Sequence, residues 1–428
     1  MVNRKSARVV CPFSGLLSSI LVLTPLSLQA APAGVTGEVN SRYTDNAGQT
    51  STNEESDIES RVYLGVRHTS DPGQCNSDLG ARLGYGYWLD DTFDPEIYAN
   101  LDFAGDCRIV DGLVWQVTDN MRDIAQDSRG NNNPNNLTRK NVFRTGPVWT
   151  LRLSPVDQIS FAAEYENTEF SEPEERDGER YIGTIAFKHF FSASFYGGVT
   201  ASRDEGELDT EEEIDRDTLS LTFGKEWAAT SLKGSAGGSE IETTLNNTTR
   251  STDGFVGNLE VIRQVNPTTE MSLEASRELT DATSDFDIRF GEFVFRQEQT
   301  GAVEVSAVRF RATKEFSAGS TFALTAFASR SDYIDLGTEE ESSGFNATYR
   351  RPVTAQVSAT LGGGYNYLTY SDDDTADVLF RVNAGLDYQL SRKLSLLSRV
   401  GHDQRDSKVP VREFRENWVS IGLNYQFL

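Results

Sequence analysis

Long apolar runs are what this 428-residue chain lacks most: 37% of it is hydrophobic. Past the N-terminus no window approaches the ~18 apolar residues of a membrane-crossing helix. Histidine and cysteine are scarce at three each. That leaves little from which to assemble an activated nucleophile or a Cys/His metal centre. His68, His189 and His402 fall in separate segments, and no G-x-S-x-G motif marks a serine nucleophile. The reading is therefore a non-enzyme with no cofactor and no metal. Basic residues are outnumbered, 40 Lys and Arg against 65 Asp and Glu, for a net charge of −25. Phosphate backbones would be repelled, so no nucleic-acid partner is expected. No Pro- or Ser-rich linker divides the chain into domains.

The N-terminus carries Arg4, Lys5 and Arg8, an apolar run from about Leu16 to Leu28, and the small residues Ala30 and Ala31. This is the pattern of a secretory signal, so residues 1–31 are expected to be cleaved and 32–428 to form the mature protein. Cys11 precedes the apolar run, so no lipoprotein cleavage box is evident. Cys75 and Cys107 then remain in a chain bound for an oxidising compartment. Both are expected in adjacent turns at the same end of the molecule, within reach of a disulfide bridge.

What the chain has is rhythm. In ADVLFRVNAGLDYQL (376–390), Val378, Phe380, Val382, Ala384, Leu386, Tyr388 and Leu390 alternate with Asp377, Arg381, Asn383, Asp387 and Gln389. Period 2 makes a sheet with one apolar and one wet face. The run far exceeds an ordinary strand of about 5–6 residues and matches the ~9–11 that a tilted strand needs to cross a bilayer. Similar segments recur from about Val35 onward, about twenty in all. Short links such as SPVD (154–157), VNPTT (265–269) and SRK (391–393) alternate with long polar ones at 120–140, 167–179, 203–215 and 239–253. A soluble β-sandwich has no reason for this regularity. The expected fold is all-β: a single closed antiparallel transmembrane barrel of about 20 strands (range 16–20), with short periplasmic turns and long acidic extracellular loops. Two places strain the count. Pro147 falls inside a strand, and FDIRFGEFVF (286–295) looks like strand within a loop, taken here as a hairpin extending beyond the membrane.

About twenty strands enclose more space than side chains can fill. The inward set Glu274, Arg309, Arg311, Asp377, Arg381 and Asp387 is therefore expected to line a wet lumen. The acidic runs RDEGELDTEEEIDRD (203–217) and EFSEPEERDGE (169–179) read either as solvated faces or as a mouth that enriches cations. SDDD (371–374) lacks the spacing of an EF-hand loop.

The terminal WVSIGLNYQFL, with Gly422, Tyr425 and Phe427, resembles the C-terminal assembly signal of bacterial outer-membrane barrels, although Leu428 stands where that signal usually ends on the aromatic. More loosely, NVFRTGP (141–147), RELTD (277–281), this terminus and the overall length resemble proteobacterial porin-like barrels encoded beside exopolysaccharide export and PEP-CTERM exosortase genes. The resemblance implies the outer membrane of a Gram-negative bacterium. It further implies lipid, lipopolysaccharide and the barrel assembly machinery as partners, and polysaccharide or its export apparatus as a further one. The expected function is a polar-lined conduit; the alternative is a loop-sealed assembly barrel. No ligand residues carry over from the resemblance.

Overall fold

The computed structural model describes residues 33–172, 176–291, 293–295 and 301–428; the expected signal segment 1–31 lies outside the described residues. Twenty antiparallel strands follow in chain order. The first ten are β1 (Gly34–Thr44), β2 (Asp57–Thr69), β3 (Cys75–Trp88), β4 (Glu96–Val110), β5 (Leu113–Ala125), β6 (Leu137–Arg152), β7 (Asp157–Phe170), β8 (Gly178–Ser192), β9 (Phe195–Leu208) and β10 (Glu213–Glu226). The second ten are β11 (Thr230–Leu245), β12 (Thr248–Asn266), β13 (Thr269–Thr280), β14 (Val303–Glu315), β15 (Thr321–Tyr333), β16 (Thr338–Pro352), β17 (Val357–Tyr370), β18 (Thr375–Gln389), β19 (Leu394–Ser407) and β20 (Phe414–Gln426). Each pairs with its sequence neighbours, and β20 returns to β1 with Thr36 opposite Gln426 and Thr44 opposite Trp418. Closure leaves no sheet edge, and every ladder is satisfied within the chain, as a bilayer demands.

The alternation reads directly as inside and outside. Leu64, Leu83, Leu219, Leu221 and Leu361 each keep more than half of their surface exposed on the outer face. Burial of such side chains in hydrocarbon is worth roughly 1.5–3 kcal/mol apiece. A continuous belt of this kind is the surface of a transmembrane barrel, with Tyr85, Tyr87, Tyr365 and Tyr367 towards one rim and Trp149, Phe191, Tyr388 and Phe427 towards the other. One end carries only short turns, such as 111–112, 153–156 and 390–393, and both described chain ends lie there. The other end carries the longer connections 45–56, 126–136 and 281–302.

Local details explain the departures from regularity. Pro147 offers no N–H, and the β6–β7 ladder skips from Thr145–Tyr165 to Val148–Ala162. At that gap the backbones close up, so that a Cβ on Gly146 would stand 2.0 Å from the Ala163 carbonyl oxygen. Asn246 and Asn247 both take positive φ (51° and 62°), the requirement of a two-residue hairpin turn. The runs expected as long loops at 203–215 and 239–253 are therefore mostly strand: β9–β10 and β11–β12 continue as hairpins, turning at 209–212 and 246–247. The polar residues there sit on both faces of extended ladders; Arg203, for example, lies 2.7 Å from Glu205 and 3.1 Å from Asp217.

Candidate functional site: two loops inside the barrel

A 20-strand barrel with strands ~4.8 Å apart and tilted by ~40° is roughly 40 Å across. Two connections fold into that space from opposite sides. The longer, 281–302, begins with a short helix α1 (Phe286–Arg289) and buries Phe286, Phe290, Phe293 and Phe295 against Val303, Val305 and Ala307 on the inner face of β14. Phe286 stacks on Phe290 at 4.9 Å, and Phe293 meets Phe295 edge-on at 4.7 Å. The segment expected to project beyond the membrane is thus turned inward. Four phenylalanines cannot remain in water at small cost, and β14 offers Val303, Val305 and Ala307 as apolar cover.

Ionic anchors carry this loop across to the far wall. Lys140 on β6 is fully buried; its Nζ donates to Asp287 Oδ1 at 2.8 Å, to the Ala282 carbonyl at 2.9 Å and to the Ser284 carbonyl. Arg180 on β8 reaches Asp281 at 2.5 Å and Asp204 at 3.3 Å. Arg144 on β6 bonds Glu166 and, at 3.0 Å, Asp285. Burial pushes the Asp281 and Asp285 carboxyls up, but Arg180 outweighs it for the first and Arg144 with Arg289 for the second, leaving both below the usual aspartate value of 3.8. For Asp287 burial wins over Lys140, and its carboxyl is raised.

The shorter loop, 126–136, starts from β5 and is fixed to the opposite side. Arg129 binds Asp372 at 2.6 and 2.8 Å and Glu340 at 3.2 Å, with its guanidinium 4.4 Å from the Tyr370 ring. Ser128 donates to Glu340 at 2.9 Å. Arg405 on β19 donates to the Gly130 carbonyl at 2.9 Å while holding Asp377. Asn131 and Asn132 bond Gln49 of the 45–56 connection.

The sequence-derived lumen set divides between two environments. Glu274, Arg309, Arg311, Asp377, Arg381 and Asp387 all occupy inward positions of their strands. Asp377 is completely buried against Arg405, and Arg309 lies under Phe290 while bonding Glu274 and the Arg289 carbonyl. These are loop anchors or their neighbours, not open wall. Arg311 and Arg381 are exposed to the interior space, and Asp387 is held by Arg399 at 2.5 Å. Asp372 and Asp373 of the SDDD run serve Arg129 and Arg412. Sequence reading missed Arg129, Lys140, Arg180 and Arg405. The available signal was a cation at an inward, loop-end position of a strand, together with a phenylalanine-rich loop that needed cover.

Cys75 and Cys107 are directly paired across β3 and β4 and joined by a disulfide; they lie at strand ends, not in turns. Gly422 faces Asn40 across the closing β20–β1 ladder, Tyr425 faces Gly37, and the Phe427 ring covers Gly37 so closely that a Cβ there would meet it at 2.9 Å. His189 bonds Asp157 and His402 bonds Asn417, on different walls. No group of three or more metal-ligating side chains is found among the described residues.

The chain is a closed 20-strand antiparallel β-barrel of the outer-membrane type, with two loops folded into its bore. Residues 303–427, covering β14 to β20, match the model of a family described as "Putative beta-barrel porin 2". No curated protein matches the chain. Among solved structures the chain is similar to the siderophore receptor PirA from Pseudomonas aeruginosa (10% identity, 93% of this chain and 81% of that one, TM-score 0.43). It is also similar to the FrpB iron transporter from Neisseria meningitidis, F5-1 variant (8%, 93% and 83%, 0.45). A third is the loop L8 deletion mutant of OmpT, an outer membrane protein of Vibrio cholerae (10%, 93% and 100%, 0.36).

Proposed function

We propose that the chain is a porin-like barrel of a Gram-negative outer membrane that passes small hydrated solutes through a bore narrowed at its outer end by the 126–136 and 281–302 loops. The observation that carries this reading is the pair of loops anchored on opposite inner walls through buried ion pairs. Below them the wall is wet and charge-paired, as at Arg82–Glu38, Arg122–Asp102 and Arg399–Asp387. Arg311 and Arg381 supply positive potential along the remaining path. Liposome-swelling rates with neutral sugars of increasing size test the proposal. Entry of monosaccharides with a sharp cut-off above them is expected; equal rates for large oligosaccharides would contradict it. Neutralising both arginines should raise cation preference, and an unchanged reversal potential would remove them from the path.

The density of buried anchors favours a second reading, a barrel sealed by its own loops that serves surface-polymer assembly. Complete electrical silence in planar bilayers, together with no swelling, would select it. A link to exopolysaccharide export is supported by the sequence resemblance, and passage of a polymer would require both loops to leave the bore.

A further inference from the structure

Between the two loops and the β15–β18 wall lies a cavity of about 300 Å³, at the lower end of the size range of small-molecule sites. Its lining is mixed. Loop 126–136 contributes Asp127 and Asn132, loop 281–302 contributes Phe293, and the wall contributes Ser331, Asn366 and Arg381. Most charges around it are already used: Glu340 is held by Arg129 and Ser128, Glu341 faces Arg330 at 3.9 Å, and Arg405 is held by Asp377. Asp403, opposite Arg381 across the β18–β19 ladder, is taken by Trp418 Nε1 at 3.2 Å and faces Arg42 at 3.8 Å. Arg381 and Asp127 have no ion-pair partner among the described residues, and Asp127 Oδ1 accepts only the Arg129 backbone N–H at 2.9 Å. With Glu341 balanced by Arg330, the cation and the anion that lack ion-pair partners cancel, so the cavity favours no net charge. Together they offer a fork of donors and the second oxygen of a carboxylate beside amides and hydroxyls, with the edge of an aromatic cluster alongside.

We infer that this cavity is a binding subsite for one neutral hexose-sized sugar, whose hydroxyls donate to Asp127 and accept from Arg381 and Asn366 while an apolar ring face lies against Phe293. This rests on the reading of the lumen as a solute path. Binding and passage are nevertheless separate measurements, so a failure of one is distinguishable from a failure of the other.

The test is equilibrium binding by calorimetry on the full barrel in detergent micelles, using glucose, galactose and mannose, with glucuronate and glucosamine as the charged counterparts. At least one neutral hexose should bind saturably and more tightly than either charged sugar. Arg381→Ala should weaken that binding roughly tenfold or more, the worth of a hydrogen bond to a charged group. Asn366→Ala should weaken it by less. Heat-dependent migration on gels verifies that each variant keeps its barrel. Tighter binding of a charged sugar, no binding by any hexose, or full affinity in a folded Arg381→Ala protein would overturn the inference. Electrical silence with intact hexose binding would instead count against the conduit alone.

Discussion

The two inward loops are held by different physics. Loop 281–302 has its own apolar core of four phenylalanines, and its ionic anchors at Lys140 and Arg180 are almost completely buried. Loop 126–136 buries no comparable cluster; it is tied by hydrogen bonds to carboxylates, amides and carbonyls, and Asp372 and Asp373 remain partly open to solvent. Removing apolar surface from water is cooperative and insensitive to salt, whereas partly solvated ion pairs are screened. The first loop is therefore a fixed constriction, and the second is the more readily displaced.

Two substitutions, added salt and acid separate the two loops. Lys140→Met should have the largest effect, because it strips the partner from a buried carboxylate and two buried carbonyls, a loss of roughly 3–5 kcal/mol for a broken buried pair. Chymotrypsin cleavage within 281–295 at neutral pH reads the release, and a variant as resistant as wild type would show that the aromatic core alone holds the loop. Arg129→Ala should cost about 2 kcal/mol and free only loop 126–136, raising current noise in bilayers without exposing the phenylalanines. Salt should mimic this variant and leave the Lys140-anchored loop in place. Acid gives the smallest effect. Asp281 and Asp285 are depressed, so their contribution is complete above the ordinary aspartate range and is lost only as pH falls below 3.8 through their folded-state values. Asp287 is raised and works with the opposite sign, favouring the docked loop as it takes up its proton. Pepsin cleavage of the loop, scored at each pH against an unfolded substrate, should therefore rise only below 3.8; release at milder pH would mean that the two depressed carboxylates are not the acid-sensitive anchors.

How much was legible in the sequence follows from the range of the interactions. Strand existence and order were readable, because period-2 alternation is local and each strand faces lipid on one side and polar space on the other. Segment 376–390 became β18 at Thr375–Gln389, and the count of about twenty matches the structure. Inward positions such as Arg381 and Asp387 follow from the same parity. The loops were not readable, since whether a connection points out or in depends on partners far along the chain: Asp287 lies 147 positions from Lys140, and Gly130 lies 275 from Arg405. Asp377 illustrates the limit. Its inward parity was clear from its neighbours, but its burial comes from Arg405 and the loop carbonyl that shares it. Hairpins at 203–215 were mistaken for loops because their charged residues, solvated beyond the belt, erase the hydropathic alternation while the backbone ladder continues.

Whether the inward loop narrows the bore is decided by the single-channel conductance of the wild-type barrel beside a variant in which 282–301 is replaced by a short glycine-containing turn. β13 and β14 are already paired up to Thr280 and Val303, so the shortened connection can close as a hairpin. Small currents are expected for the wild type and a several-fold larger conductance for the variant. A wild type that already conducts as an unobstructed bore, with no change on deletion, would contradict that narrowing.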